Sequence, residues 1–146
     1  MIKIYVDGNS NMPPNKIVLA RTIPLYLGRY GNPSSFHSMG LRAQEILEYS
    51  RIEIANTLNC LPEEIFFVSG ASEAISWVSK MRTLIVSPSA HHSIKEATLN
   101  CSPHYSYRPI VALPLIDNET GQVNDIGSFD EVFLDLTSSI GKIKVD

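Results

Sequence analysis

Four short apolar runs set the limits on what this chain can fold into. Residues 65–68, 83–87, 110–115 and 131–139 are dense in Ile, Val, Leu and Phe, and turn residues or helix-like stretches separate them. Each run has the length of a strand buried in a sheet. Strands alternating with helical patterns predict an α/β layer architecture, here an abbreviated, mostly parallel sheet with flanking helices. The chain of 146 residues suits a single domain, with residues 1–37 as an N-terminal arm and loop and residues 38–146 as the α/β core.

Between the runs, the spacing predicts helices. Over residues 38–59, Ala43, Ile46, Leu47, Ile54 and Leu58 recur on one face. Ser38 is the expected N-cap, and Arg42, Glu45, Glu48, Arg51 and Glu53 read as solvated charges. A second helix is expected over residues 71–81, with Ala74, Ile75 and Val78 as its core stripe beside Trp77, and a third over residues 93–99. Residues 16–26 suit a short helix cut by Pro24. Asp117-Asn118-Glu119-Thr120-Gly121 is a turn signal.

The formal net charge of −3 and the lack of a basic cluster argue against a nucleic-acid surface. The alternating start, Met1-Ile2-Lys3-Ile4-Tyr5-Val6, is unlike a secretory signal, and no apolar run reaches the ~18 residues of a membrane span. Cys60 and Cys101 fit neither a disulfide framework nor a zinc pattern, so no metal is expected and a reducing cytoplasm is the expected setting.

The run at residues 65–68 passes through Ser69-Gly70 directly into the helical pattern of Ala71, Ser72 and Glu73. The first amides of a helix lack carbonyl partners and carry partial positive charge, so Gly70, Ala71 and Ser72 form a candidate phosphate cup. An ordinary turn in which Ser72 caps its own helix satisfies the same residues. Ligands of such sheets collect at the carboxyl ends of the strands. His91 follows the second run there, and Asp135 closes the fourth. Their plain readings are a loop histidine and a helix-capping acid. Taken together, an anion cup, a flat ring and a carboxylate suit a phosphorylated, nitrogen-containing ring with the shape of pyridoxal phosphate.

The same residues resemble the N-terminal part of a cysteine desulfurase, within the class V aminotransferase group of pyridoxal-phosphate enzymes. Tyr5-Val6-Asp7-Gly8-Asn9 is similar to the family's opening segment. Gly31-Asn32-Pro33-Ser34-Ser35-Phe36-His37-Ser38-Met39-Gly40 is similar to its Gly-Asn-Pro-Ser-Ser-x-His-Ser-x-Gly loop. Ser69-Gly70-Ala71-Ser72-Glu73-Ala74 resembles its phosphate motif, with Ser72 in place of Thr. Ala90-His91 falls where the family has Glu-His, and the resemblance implies that His91 stacks on the cofactor ring as the catalytic histidine. Leu134-Asp135 resembles the strand whose Asp meets the pyridine nitrogen. Ser138 stands where desulfurases have Gln and is carried over as a cofactor-binding residue.

The likeness weakens over residues 102–130. A strand and an Asn-containing loop that precede the Asp strand in the family have no room between residues 122 and 131. Lys142 matches an ordinary family Lys. The Schiff-base Lys, the nucleophilic Cys loop, the substrate-carboxylate Arg and the C-terminal domain have no counterpart among these residues. The resemblance therefore implies part of a split or truncated pyridoxal-phosphate enzyme, with any cofactor held non-covalently by this chain alone. The alternative is a catalytically inactive relic acting as a binding or regulatory partner. Either form is expected to associate with a second copy, as family dimers do, or with a complementing chain.

Overall fold

The structure, a computed structural model, describes residues 4–6, 8, 12–28, 30–100 and 108–143. Met1, Ile2, Lys3, Asp7, Asn9 and Cys101, all named above, lie outside the described residues. The fold is α/β, as the sequence predicts. The chain divides into two compact units, Met1–Phe67 and Val68–Asp146.

The first unit holds two helices. Helix α1 spans Lys16–Gly28 and continues through Pro24 instead of stopping there. Pro24 forfeits one backbone donor, yet the helix is completed on both sides of it. No residue of α1 is buried, and Ile17, Val18, Tyr26 and Leu27 are all exposed. Helix α2 spans Ser38–Leu58. Its N-cap is His37 and not Ser38: the His37 Nδ1 accepts from the Gly40 amide at 3.3 Å, leaving Ser38 as the first helical residue. An imidazole nitrogen thus takes the place of the usual hydroxyl or carboxylate cap. The preceding loop is folded tightly on itself. The Asn32 side chain accepts from the Ser34 amide at 2.9 Å, and the Asn32 carbonyl accepts from Ser35 at 2.9 Å. At the far end Asn59 enters the left-handed region with φ of 53°, and its amide donates to Ala55.

The run at residues 65–68 does not form a strand. Its first residue is bonded locally. The Ile65 amide donates to Pro62 across a short 3-10 turn, Pro62–Glu64, and the Ile65 carbonyl accepts from Arg51 Nη1. The same guanidinium lies 4.9 Å from the Phe67 ring centroid and pairs with Glu48 at 3.2 Å. Arg51 is therefore not a solvated charge but the anchor of this segment. Phe66 and Phe67 remain 70% and 45% exposed, which a strand inside a sheet would not allow.

The second unit is a three-stranded parallel sheet with helices against it. Helix α3 spans Ala71–Met81, strand β1 Leu84–Val86, helix α4 His92–Asn100, strand β2 Ile110–Pro114 and strand β3 Val132–Asp135. The order is β1-β2-β3, with Val86 opposite Ala112 and Pro114 opposite Asp135. Ile75, Leu84, Ala90, Ile94 and Ala112 form the core, flanked by Val78, Val86, Ala97, Ile110 and Phe133. The stripe on α3 behaves as its spacing predicts, while Trp77 stays 45% exposed. Strand β1 is half-covered, since Ile85 is 56% exposed while Leu84 is buried. Strand β3 ends at Asp135, short of residue 139, because the chain then turns: the Ser139 and Ile140 amides both donate to Leu136.

A side chain at Gly40 would collide with the carbonyl oxygens of Ser35 and Asn32, whereas one at Gly28 would meet open space. Gly40→Ala is expected to cost about 1–3 kcal/mol, and Gly28→Ala to change stability by less than about 0.5 kcal/mol. Urea unfolding of both variants checks the pair; equal midpoints would contradict the packing of this loop.

Candidate functional site

All six residues singled out from the sequence lie in the second unit. Helix α3 is joined to β1 by Arg82 and Thr83 alone and packs on the sheet through Ile75. The chain must reverse between them, so the first turn of α3 lies toward the carboxyl edge of the sheet. His91 follows β1 at that edge, Asp135 is the last residue of β3, and Ser138 follows it.

Gly70 is the N-cap of α3, and no side chain caps this helix among the described residues. Ser72 is exposed within the first turn and does not serve as the cap. A Cβ placed on Gly70 would meet nothing within 4 Å, so the space beside this residue is open. The other side of the turn is closed by Glu73, whose Oε2 accepts from both the amide and the hydroxyl of Ser69 at 2.7 Å. These bonds, the backbone one foremost, hold the Glu73 carboxyl below its ordinary range. An ionised Glu73 and an uncapped helix end thus share one turn, with the carboxylate tied back to Ser69.

His91 precedes α4, and its carbonyl accepts from Ile94 at 3.0 Å. The ring turns inward on the helix end: Nδ1 lies 2.8 Å from Ser93 Oγ and accepts from the Ser93 amide at 3.3 Å. With Nδ1 acting as acceptor, the neutral ring carries its proton on Nε2. One side of the ring meets His92, centroid to centroid 4.1 Å at 45°. The loop histidine of the plain reading is therefore also an oriented ring.

Asp135 is half-buried. Its Oδ1 accepts from the Thr137 amide at 2.9 Å, and its carbonyl accepts from Leu115, which ties it to β2. Ser138 is also half-buried, and its hydroxyl donates to Asn118 Oδ1 from the turn after β2. The sequence marked Asn118 only as a turn residue. Nothing in the spacing signals a contact between side chains 20 positions apart. Glu73 was equally silent as a partner of Ser69. Among the described residues no group of three or more His, Cys, Asp and Glu is placed to hold a metal ion.

The carboxyl edge of the sheet thus carries the first turn of α3 without a side-chain cap, the oriented His91 ring and the half-buried Asp135 carboxylate. The family model for aminotransferase class V matches residues 4–102, and the chain belongs to that family, whose members depend on pyridoxal phosphate. Among curated relatives it is 41% identical over 71 residues to a cysteine desulfurase of Frankia sp. (strain EuIK1), covering 49% of this chain and 17% of that protein. It is 37% identical over 76 residues to the selenocysteine lyase of Xenopus laevis, covering 52% of this chain and 18% of that one. The structure is similar to that of a NifS-like protein, with a TM-score of 0.73 and 26% identity over 84% of this chain and 43% of the other. The chain thus matches less than a fifth of the length of these two curated relatives, and less than half of the solved structure.

Because the carboxyl of Glu73 is lowered in the folded state, it stabilises the fold above the ordinary glutamate range and stops doing so as the pH falls through its folded value. Asp117, lowered by the Thr120 and Glu119 amides, acts with the same sign. Glu73→Gln is expected to flatten the loss of stability on acidification below about pH 4.5. Urea midpoints across that window check it, and an unchanged slope would remove the Ser69–Glu73 bond as a stabilising feature.

Proposed function

We propose that this chain is the cofactor-holding part of a cysteine desulfurase-like protein and binds pyridoxal 5'-phosphate without a covalent link of its own. The observation that carries this reading is the uncapped start of α3, with open space at Gly70, on the same sheet edge as His91 and Asp135. The amides of Ala71 and Ser72 with the Ser72 hydroxyl hold the phosphate, and the helix dipole adds to them. The His91 ring, oriented by Ser93, would pack against the cofactor ring. Asp135 holds a proton on the ring nitrogen, and Ser138 meets the ring's edge. When bound, the cofactor supplies an electron-withdrawing ring that weakens bonds at the carbon of an attached amino acid.

The Schiff-base Lys, the thiol that takes up sulfur and the Arg for the substrate carboxylate come from polypeptide outside these residues, either further chain or a complementing partner. The substrate class is then a cysteine-like amino acid, in keeping with the names of the relatives. The exposed apolar residues of α1, with Phe66 and Phe67, are covered by that polypeptide or by a second copy. Among the described residues no helix is long and apolar enough to cross a membrane, and Cys60 is a free thiol, which suits a reducing cytoplasm.

The test is binding of pyridoxal 5'-phosphate to the 146-residue chain, followed by its absorbance, with borohydride reduction and peptide mapping. Saturable binding is expected, without an adduct confined to one Lys. Ser72→Ala is expected to weaken it by roughly 2- to 10-fold, the loss of about one hydrogen bond, and Asp135→Ala by roughly 10-fold or more. Unchanged affinity in both variants would overturn the site. No binding by the wild-type chain would favour a catalytically inactive protein that acts through a partner, and a single Lys142 adduct would make the chain self-sufficient.

A further inference from the structure

Both helices of the second unit lie on one side of its sheet, since Ile75 of α3 and Ile94 of α4 meet Leu84 and Ala112 in one core. Successive strand residues point to opposite faces. The register that aligns Ile85, Val111 and Val132 therefore puts those three in one row on the other face. Parallel sheets are ordinarily covered on both faces. Here Ile85 is exposed, and Val111 lines an open cavity of about 520 Å³ with Pro109 and Phe129. Its remaining walls come from residues just before β2 and β3, at the amino edge of the sheet, opposite the edge that bears His91 and Asp135.

Charges of both signs line this cavity. Glu131 is paired with Arg82. Arg108, ahead of β2, and Asp130, ahead of β3, are exposed and have no hydrogen-bond or ion-pair partner among the described residues. Phe129 is exposed too, so the patch offers an apolar ring beside an apolar-floored cavity. A contact about a two-fold axis needs a self-complementary surface: where one residue meets a second across it, the second must meet the first. A cation and an acid flanking one apolar row, with a ring next to a cavity, satisfy that condition in charge and in shape. A partner surface of a single charge sign would leave Arg108 or Asp130 opposed by its like. We propose that a second copy of this chain covers this face, with Arg108 of each copy facing Asp130 of the other and Phe129 of each entering the other's cavity. The contact lies at the amino edge of the sheet and does not depend on the cofactor-binding reading above.

The experiment measures self-association of the 146-residue chain by analytical ultracentrifugation, for wild type, Arg108→Asp, Asp130→Arg and Phe129→Ala, each checked for folding by thermal unfolding. Wild type is expected to dimerise. Each charge reversal sets two like-charged pairs against one another and should weaken the homodimer by roughly 10-fold or more. An equimolar mixture of Arg108→Asp with Asp130→Arg restores two opposite pairs and should form heterodimers, which only a two-fold contact through these residues allows. Phe129→Ala should weaken the dimer by roughly 10-fold. A monomeric wild type would overturn the proposal and leave the face to a different polypeptide. A wild-type dimer indifferent to both reversals or to Phe129→Ala would also overturn it, as would a mixture that fails to regain association. Each of these results leaves binding of pyridoxal 5'-phosphate, measured separately, as it stands. If a reversal fails to fold, Arg108→Gln and Asp130→Asn take the place of the pair: each alone loses both ion pairs, and their mixture regains one.

Discussion

The candidate site depends first on the parallel pairing of β2 with both of its neighbours. Ala112 is wholly buried at the middle of the sheet and lies opposite Val86 on one side and Phe133 on the other. Its carbonyl accepts from Ser87 as β1 ends. That register makes the three strands finish nearly level, so the loops after them leave from one edge. A slip of one residue would send Leu84 and Ala112 to the opposite face, and their neighbours Ile75 and Ile94 would lose their contacts. The small side chain of Ala112 lets α3 and α4 sit close enough for Ile75 and Ile94 to share a core. Packing in the middle of the unit is thus what brings residues from three strand ends to one rim.

At that rim, much of the polar chemistry goes into holding the loops. His91 caps α4, Asp135 closes a turn with Thr137, Glu73 binds back to Ser69, and Ser138 bonds to Asn118. Among the described residues three of these groups keep spare capacity: the Nε2 of His91, the second oxygen of Asp135 and the lone pairs of Ser138. These bonds set the orientation of the candidate groups within the folded chain.

Periodicity made the local elements legible. Helices α2 and α3 and strands β1 and β2 fall where the apolar spacing placed them; on α3 the stripe coincides with a buried face through Ile75, whereas on α2 Ile54 and Leu58 stay exposed and only Gly40 and Ala55 are buried. The sequence was misleading where a tertiary partner replaced the expected one. Residues 65–68 have the composition of a strand, but Arg51, fourteen positions earlier than Ile65, takes a carbonyl that a ladder would otherwise hold. Pro24 reads as a stop, yet a helix loses only one donor to it. Ser38 is the better cap by type, but His37 stands one position nearer the loop. The family resemblance singled out Gly70, His91 and Asp135 as candidates, while the Asn118–Ser138 pair lay beyond reach of any local pattern.

Arg51 serves three partners at once: the Glu48 carboxylate, the Ile65 carbonyl and the Phe67 ring. Only the first is an exposed ion pair that dissolved salt readily screens. The other two rely on the flat, forked shape of the guanidinium, which an ammonium group does not reproduce. Arg51 is accordingly held to its residue type by more than charge. An exchange to lysine, conservative in any substitution table, would preserve the electrostatics of the helix surface and release the segment that leads into α3.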